Sequence, residues 1–314
     1  MTAKILIFDS EAPFYARELA ARLPGPDYVA ATDRETALAH APEARVIIGL
    51  APFLDEELIG AARRLEWVQA LTTGVDNLLG MAAMRGVALT NCRGIHGPQM
   101  SELAIMLMLA LNRQFPRMIE NQRNRRWDRF KQPLLQGRRL CIIGLGSIAE
   151  TLTRLAVAFG MRVSGVSDGR TEMEGVERIY PRAELARAMA EADFTVVLVP
   201  YSPQTHHIVG EREIRAMKPT GYLINIARGG CVDEDALVAA LREGRIAGAA
   251  LDVFSRTPLP PDSPIWTAPN CIVTPHVGGF SDSYHEQALP VLLRNVAAWL
   301  KGGTAALEDR LDRE

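Results

Sequence analysis

Cysteine is scarce in this chain. Cys92, Cys141, Cys231 and Cys271 are the only four in 314 residues, and they lie far apart without metal-ligand spacing. A disulfide-stapled fold and a cysteine-paired zinc site are thereby excluded, and isolated thiols fit a reducing cytoplasm. Neither sign of charge prevails. With a formal net charge of −2, the chain has no global attraction for nucleic acid or an anionic membrane. Long hydrophobic runs are missing too, because charges or turns interrupt every apolar stretch well before the roughly 20 residues of a membrane span. A secretion leader is not expected, since the chain enters the strand-like segment Lys4-Ile-Leu-Ile-Phe8 almost at once. Internal repeats and low-complexity tracts are lacking as well.

What is present is enough apolar material, 48% of residues, to fill two cores, and the length is more than one ordinary core requires. Strand patterns at 4–8, 28–31, 46–49, 67–71 and 87–90 alternate with helical periodicity such as that of 55–64, which predicts a layered βα unit. A second series of strands, near 139–143, 162–166, 194–199, 221–226, 247–253 and 271–274, predicts a doubly wound parallel sheet. Between the two lies Arg93-Gly-Ile-His-Gly-Pro98, followed by Met100 to Asn112, which is apolar on nearly every side. Such a helix must be buried against protein, as a domain bridge or a subunit interface. Gly278-Gly279 reads as a second flexible crossing, and 286–301 as one more amphipathic helix. If that helix returns to the first unit, the first domain is discontinuous. The expected organisation is 1–95 plus 283–314 and 96–282, two α/β domains with a cleft between them.

Three segments end on chemistry. Tyr222-Leu-Ile-Asn-Ile-Ala-Arg228-Gly-Gly, Ala-Ala-Leu-Asp252-Val-Phe and Cys-Ile-Val-Thr-Pro-His276 each read as a short strand with a polar residue at its end. Parallel strands would bring Arg228, Asp252 and His276 to one edge, where open α/β sheets bind ligands. A fourth segment, Leu140-Cys-Ile-Ile-Gly144-Leu-Gly146-Ser147-Ile148-Ala149, reads as strand, glycine turn and helix start. Gly144 permits the turn, Gly146 lets the backbone approach a pyrophosphate, and the helix end offers amides to phosphate. After the next strand come Ser167-Asp168-Gly169-Arg170. An acidic residue there suits the ribose hydroxyl of NAD, and a Ser and Arg pair suits the phosphate of NADP. Both kinds are present, so NAD and NADP remain open.

With Leu71-Thr-Thr-Gly74-Val75-Asp76-Asn77, Asn225-Ile-Ala-Arg228-Gly229, Leu251-Asp252-Val253-Phe254 and Thr274-Pro275-His276 added to the glycine loop, nearly the whole chain resembles the NAD(P)-dependent D-isomer-specific 2-hydroxyacid dehydrogenases, which include glyoxylate and hydroxypyruvate reductases. The resemblance implies a flavodoxin-like substrate domain and a Rossmann dinucleotide-binding domain. It also implies Arg228 as the substrate-orienting cation, His276 as acid/base, and the amides of Gly74 and Val75 as a carboxylate cradle. Asp252 falls near the nicotinamide. Pro200, Thr205, Ala227 and Gly278 join Gly144, Gly146, Ser147, Ile148, Ser167, Asp168 and Arg170 as expected cofactor contacts. Reduction of a 2-oxo acid needs such a cation and proton donor as charge develops on the keto oxygen.

One position departs from the family. Asp-Val-Phe-Glu-x-Glu-Pro-Leu is usual, and the second Glu pairs with the histidine, whereas this chain reads Asp252-Val-Phe-Ser255-Arg256-Thr257-Pro258-Leu259. Thr257 could hydrogen-bond the imidazole but supplies no negative charge, so His276 should be less basic than its counterparts. Ser281, Asp282 or a neighbouring subunit could compensate. A dinucleotide-binding regulatory protein with weakened catalysis is therefore the alternative function. Other signals have plainer readings. His96 is expected at a hinge or interface, and His206-His207 in a loop near the adenosine. The run from Arg123 to Lys131 is expected as a solvated arm or a homodimer contact rather than a nucleic-acid patch, and Met100, Met106, Met108 and Met118 as packing.

Overall fold

A computed structural model describes residues 2–311. The described chain divides into two compact units: residues 2–95 with 281–311, and His96–Phe280. In the first unit five strands, β1 (Lys4–Phe8), β2 (Asp27–Ala31), β3 (Ala44–Gly49), β4 (Trp67–Ala70) and β5 (Ala88–Asn91), form an all-parallel sheet in the order β2-β1-β3-β4-β5. Its central strands are near-continuous apolar runs because helices cover both faces. Helix Tyr284–Gly302 packs against one face. There the buried Asn295 donates to Gln69 Oε1 at 2.7 Å, and Thr90 donates to the same oxygen at 2.7 Å. Trp67 Nε1 in turn donates to Thr90 at 2.8 Å. A buried polar chain of this kind is tolerated because its members are paired.

The second unit holds seven parallel strands: β6 (Arg139–Ile143), β7 (Arg162–Val166), β8 (Val176–Tyr180), β9 (Phe194–Val197), β10 (Tyr222–Asn225), β11 (Gly248–Leu251) and β12 (Cys271–Val273). They run in the order β12-β11-β10-β9-β6-β7-β8. The strand order reverses between β6 and β9, the place where doubly wound sheets bind ligands. The seventh strand, β8, is absent from the sequence reading. It is an edge strand with Glu177 and Arg178 exposed, so it has no apolar run to announce it.

Helix Gly97–Asn112 lies in this unit, with Ala104, Leu107 and Met108 fully buried and Met106 exposed. It packs on helix Ser147–Ala158 so closely that a Cβ on Gly97 would come 2.6 Å from Thr151 Oγ1. Within its own unit, it is a core helix. Gly278 is no loose crossing either. It is buried, and a Cβ there would meet Leu103 at 2.7 Å and Met100 Sδ at 3.0 Å. Cys92, Cys141 and Cys231 are buried, and burial pushes the thiols of Cys92 and Cys141 up to about 12. Among the described residues no helix is long and apolar enough to cross a membrane, and no group of acidic, Cys or His side chains is placed to hold a metal.

Candidate active site

The turn after β6 is built for a diphosphate. Gly144 has φ +98°, and a Cβ there would meet Val199 N at 2.9 Å and Val199 Cγ1 at 2.8 Å, so glycine is required on both counts. Space is open above Gly146, where an added Cβ would have no neighbour within 4 Å. Helix Ser147–Ala158 starts there without a side-chain cap, with Ala149 fully buried behind it. Its first-turn amides, those of Ser147 and Ile148, have no intrahelical acceptor and sit at the positive end of the helix. Uncapped amides beside bare backbone fit a dinucleotide pyrophosphate.

At the end of β7 the two candidate discriminators are both engaged. Asp168 accepts from Arg182 N at 2.8 Å and faces Arg182 Nε at 3.2 Å. Arg170 reaches Glu150 Oε1 at 2.7 Å and the Leu145 carbonyl at 3.3 Å, while Ser167 Oγ accepts from the Arg170 amide at 3.1 Å. Thr205 is buried, and its hydroxyl holds its own loop by donating to the Pro200 carbonyl and accepting from Ser202 N, each at 2.7 Å. Its bonds are internal to the loop. The stacked pair His206 and His207 lies in this loop, with His206 Nδ1 3.2 Å from Tyr201 Oη.

The adjacent ends of β10, β11 and β12 carry the expected chemistry. Arg228 follows β10 by three residues, Asp252 follows β11 directly, and His276 follows β12 by three. Arg228 Nη1 donates to the Ala227 carbonyl at 2.8 Å. Asp252 is 1% exposed and accepts from Thr274 Oγ1 at 2.6 Å and from the amides of Val277 and Gly278 at 2.9 Å each. Asp252 and Gly278, both expected beside the cofactor, are joined to each other within this unit. His276 has φ +55°, a left-handed conformation costly for a non-glycine residue.

His276 is exposed by area, yet the surrounding loops desolvate the ring enough to lower its pKa from the usual histidine value. The Asp252 charge raises it in part, and the Arg228 charge lowers it further. Both charges therefore act on the imidazole. Thr257 does not bond to it. The Thr257 hydroxyl turns to the Phe254 carbonyl at 3.5 Å, so the expected substitute contact is missing among the described residues.

The glycines after Arg228 admit close neighbours. A Cβ on Gly229 would lie 1.8 Å from the Phe254 carbonyl carbon and 2.2 Å from Ser255 N. Space at Gly230 is taken by the Tyr201 ring, 2.5 Å from where a Cβ would sit. The Arg228 loop is thus pressed onto the segment after Asp252, whose Ser255 amide is held by Glu234 at 2.6 Å. Gly229→Ala should destabilise the fold by about 3 kcal/mol, the upper end for overpacking, because backbone rather than a flexible side chain must move. Thermal unfolding checks this, and an unchanged Tm would contradict it.

Comparison with known proteins decides the lineage. Residues 105–278 match the description D-isomer specific 2-hydroxyacid dehydrogenase, NAD binding domain. The chain belongs to this family. It is 36% identical over 256 residues to a D-3-phosphoglycerate dehydrogenase of Methanocaldococcus jannaschii, covering 79% of this chain but only 48% of that protein, so it spans about half of that relative's length. It is 33% identical to a glyoxylate reductase of Korarchaeum cryptofilum, covering 79% of this chain and 77% of the relative. Among solved structures, a D-isomer specific 2-hydroxyacid dehydrogenase family protein from Aeromonas salmonicida superposes with a TM-score of 0.93 at 34% identity over the whole of both chains. The glycine turn after β6 is accordingly part of the family's NAD-binding domain.

In the first unit, Gly74 and Val75 precede the short helix Asp76–Leu79, which has no side-chain cap. The turn is braced by Thr72 Oγ1 on the Gly74 carbonyl at 2.7 Å and by Asn91 Nδ2 on the Thr73 carbonyl at 2.6 Å. Two residues of importance escaped the sequence reading. Asn225 ends β10 and Glu234 starts a helix, and only their hydrogen bonds to loop backbone reveal their roles.

Proposed function

We propose that this protein is a reductase of small 2-oxo acids, of the glyoxylate or hydroxypyruvate type, that uses NADH or NADPH. The observation that carries the reading is that adjacent parallel strands β10, β11 and β12 place Arg228, Asp252 and His276 at one shared sheet end. Arg228 offers a planar fork to the substrate carboxylate and keto oxygen. His276, protonated, donates to that oxygen as charge develops there, and neutral it accepts the proton in the reverse direction. Uncapped amides at Ser147 and Ile148 would hold the pyrophosphate, with Pro200 and Ala227 along the cofactor and Ser167, Asp168 and Arg170 at its adenosine end. The nicotinamide, when bound, supplies the hydride. Two amides at Gly74 and Val75, in an uncapped turn, are assigned to the substrate carboxylate.

Oxidation of NADH and of NADPH against a panel of 2-oxo acids at several pH values tests this reading. Turnover with glyoxylate or hydroxypyruvate is expected. Dinucleotide binding without turnover on any acid would favour the regulatory alternative, to which the missing Thr257 to His276 bond lends its one support.

The lowered histidine pKa sets the pH dependence. Reduction uses the protonated ring, so the rate should fall as pH rises through a value below the ordinary histidine pKa, and oxidation should persist to correspondingly low pH. Thr257→Glu adds a negative charge that favours the protonated ring. Its reductive pH profile should move to higher pH, and superimposable profiles would contradict the account.

A homodimer in the cytoplasm is part of the proposal. Helix Gly97–Asn112 and the segment after it present a groove of about 690 Å³ lined by Met106, Leu109, Phe115, Met118 and Phe159. Beyond it Trp127 is 91% exposed. The run from Arg123 to Lys131 is tied to the preceding helix, with Arg117 on Asp128 at 2.7 Å and over the Phe130 ring at 4.0 Å. A contiguous apolar face of this kind fits a subunit contact. Light scattering should show a dimer that Met106→Glu shifts to monomer, and a monomeric wild type would refute it.

A further inference from the structure

We propose that Asn225 and Asp252 form a pair of positioning residues. From one buried seat, the first would hold the turn that presents Arg228 and the second the loop that presents His276. The proposal rests on the roles given to Arg228 and His276 above and adds what registers them against each other.

Asn225 ends β10 and Asp252 follows β11, and each is 1% exposed. Buried polar groups of this kind are costly unless paired. Every bond they make goes to a loop that carries chemistry. Asn225 Nδ2 donates to the Arg228 carbonyl at 2.9 Å, and its Oδ1 accepts from the Ala227 amide at 3.1 Å. The turn between strand and guanidinium is therefore closed by one side chain. Asp252 accepts three bonds, from Thr274 Oγ1, Val277 N and Gly278 N, residues that bracket His276 on both sides. All its partners donate, which is the arrangement an ionised carboxylate takes.

The two seats are themselves joined. In the sheet register Asn225 lies beside Leu251, and the Asp252 amide donates to the Asn225 carbonyl at 3.0 Å. A displacement of either loop base is thus passed to the other through one backbone bond. His276 needs such a hold, because its left-handed backbone persists only where the surroundings enforce it. In this chain the hold carries a second consequence. Asp252 also brings negative charge to bear on the imidazole, beside a Ser255–Pro258 segment that has no carboxylate.

The test uses the whole chain, with glyoxylate as substrate and Arg228→Ala and His276→Asn as references. Asp252→Asn keeps the shape, but its amide cannot accept all three donors. Reductive kcat should fall on the order of 100-fold, the cost of an ångström of misplacement. The pH profile, and the His276 ring titration followed by NMR, should both move to lower pH. Thr274→Val removes one bond and keeps the charge, so kcat should fall less and the pH profile should stay in place. Asn225→Ser should raise KM for the acid about 10-fold and leave dinucleotide Kd unchanged.

If the two reference variants turn over like wild type, the assigned chemistry fails. If they lose turnover while Asp252→Asn keeps the wild-type pH profile and Asn225→Ser the wild-type KM, the positioning pair fails. Should Asp252→Asn not fold, Thr274→Val decides, since a wild-type kcat in that variant overturns the proposal.

Discussion

Arg228→Ala should lower kcat/KM for 2-oxo acid reduction by on the order of 1,000-fold, the upper end for removing one donor to a developing oxyanion, because the donor here is also charged. The loss should fall on the acid. The guanidinium donates to the Ala227 carbonyl and is assigned to the acid, so dinucleotide Kd, read by protein fluorescence, should not change. Arg228→Lys should recover only a small part, since an ammonium cannot reproduce a planar two-pronged contact. Its backbone should stay in place in either variant, because the Arg228 carbonyl is held by Asn225 rather than by its own side chain. Steady-state kinetics beside a fluorescence titration checks both halves. Equal loss of acid and dinucleotide binding would show that Arg228 supports the fold instead of the substrate.

His276 is expected to carry the second large effect, and its backbone dictates which replacement is informative. At φ +55° alanine or valine would be strained, whereas asparagine adopts that region more readily. His276→Asn should keep Tm within a few degrees of wild type and lose about 100- to 10,000-fold in kcat, the range for a missing general acid. The fall of reductive rate with rising pH should vanish with the ring. Retention of that limb in His276→Asn would assign it to another group.

Much of this arrangement is legible in the residues alone, for physical reasons. Strands buried on both faces read as short apolar runs, which is why β6, β7 and β10 to β12 stand out, while the half-exposed edge strand β8 does not. The glycine turn is visible because only glycine serves at Gly144. Polar residues at strand ends point to Arg228, Asp252 and His276, but not to what each one touches. The hydrogen-bond partners of Asp252 come from the loop after β12, more than twenty residues on. The bare backbone of Gly229 admits atoms of Phe254 and Ser255. Thr257 reads as a substitute partner for His276, yet a nearby carbonyl takes its hydroxyl. Contacts between separate loops are set by the packed sheet, and a linear pattern does not record them.

The most direct measurement is a crystal structure of the protein with NADP and oxamate, an unreactive isostere of a 2-oxo acid. The account predicts the oxamate carbonyl oxygen within hydrogen-bond distance of both the Arg228 guanidinium and the His276 imidazole, at the shared end of β10 to β12. Oxamate bound away from either group, or held by Arg228 with His276 turned elsewhere, would contradict it.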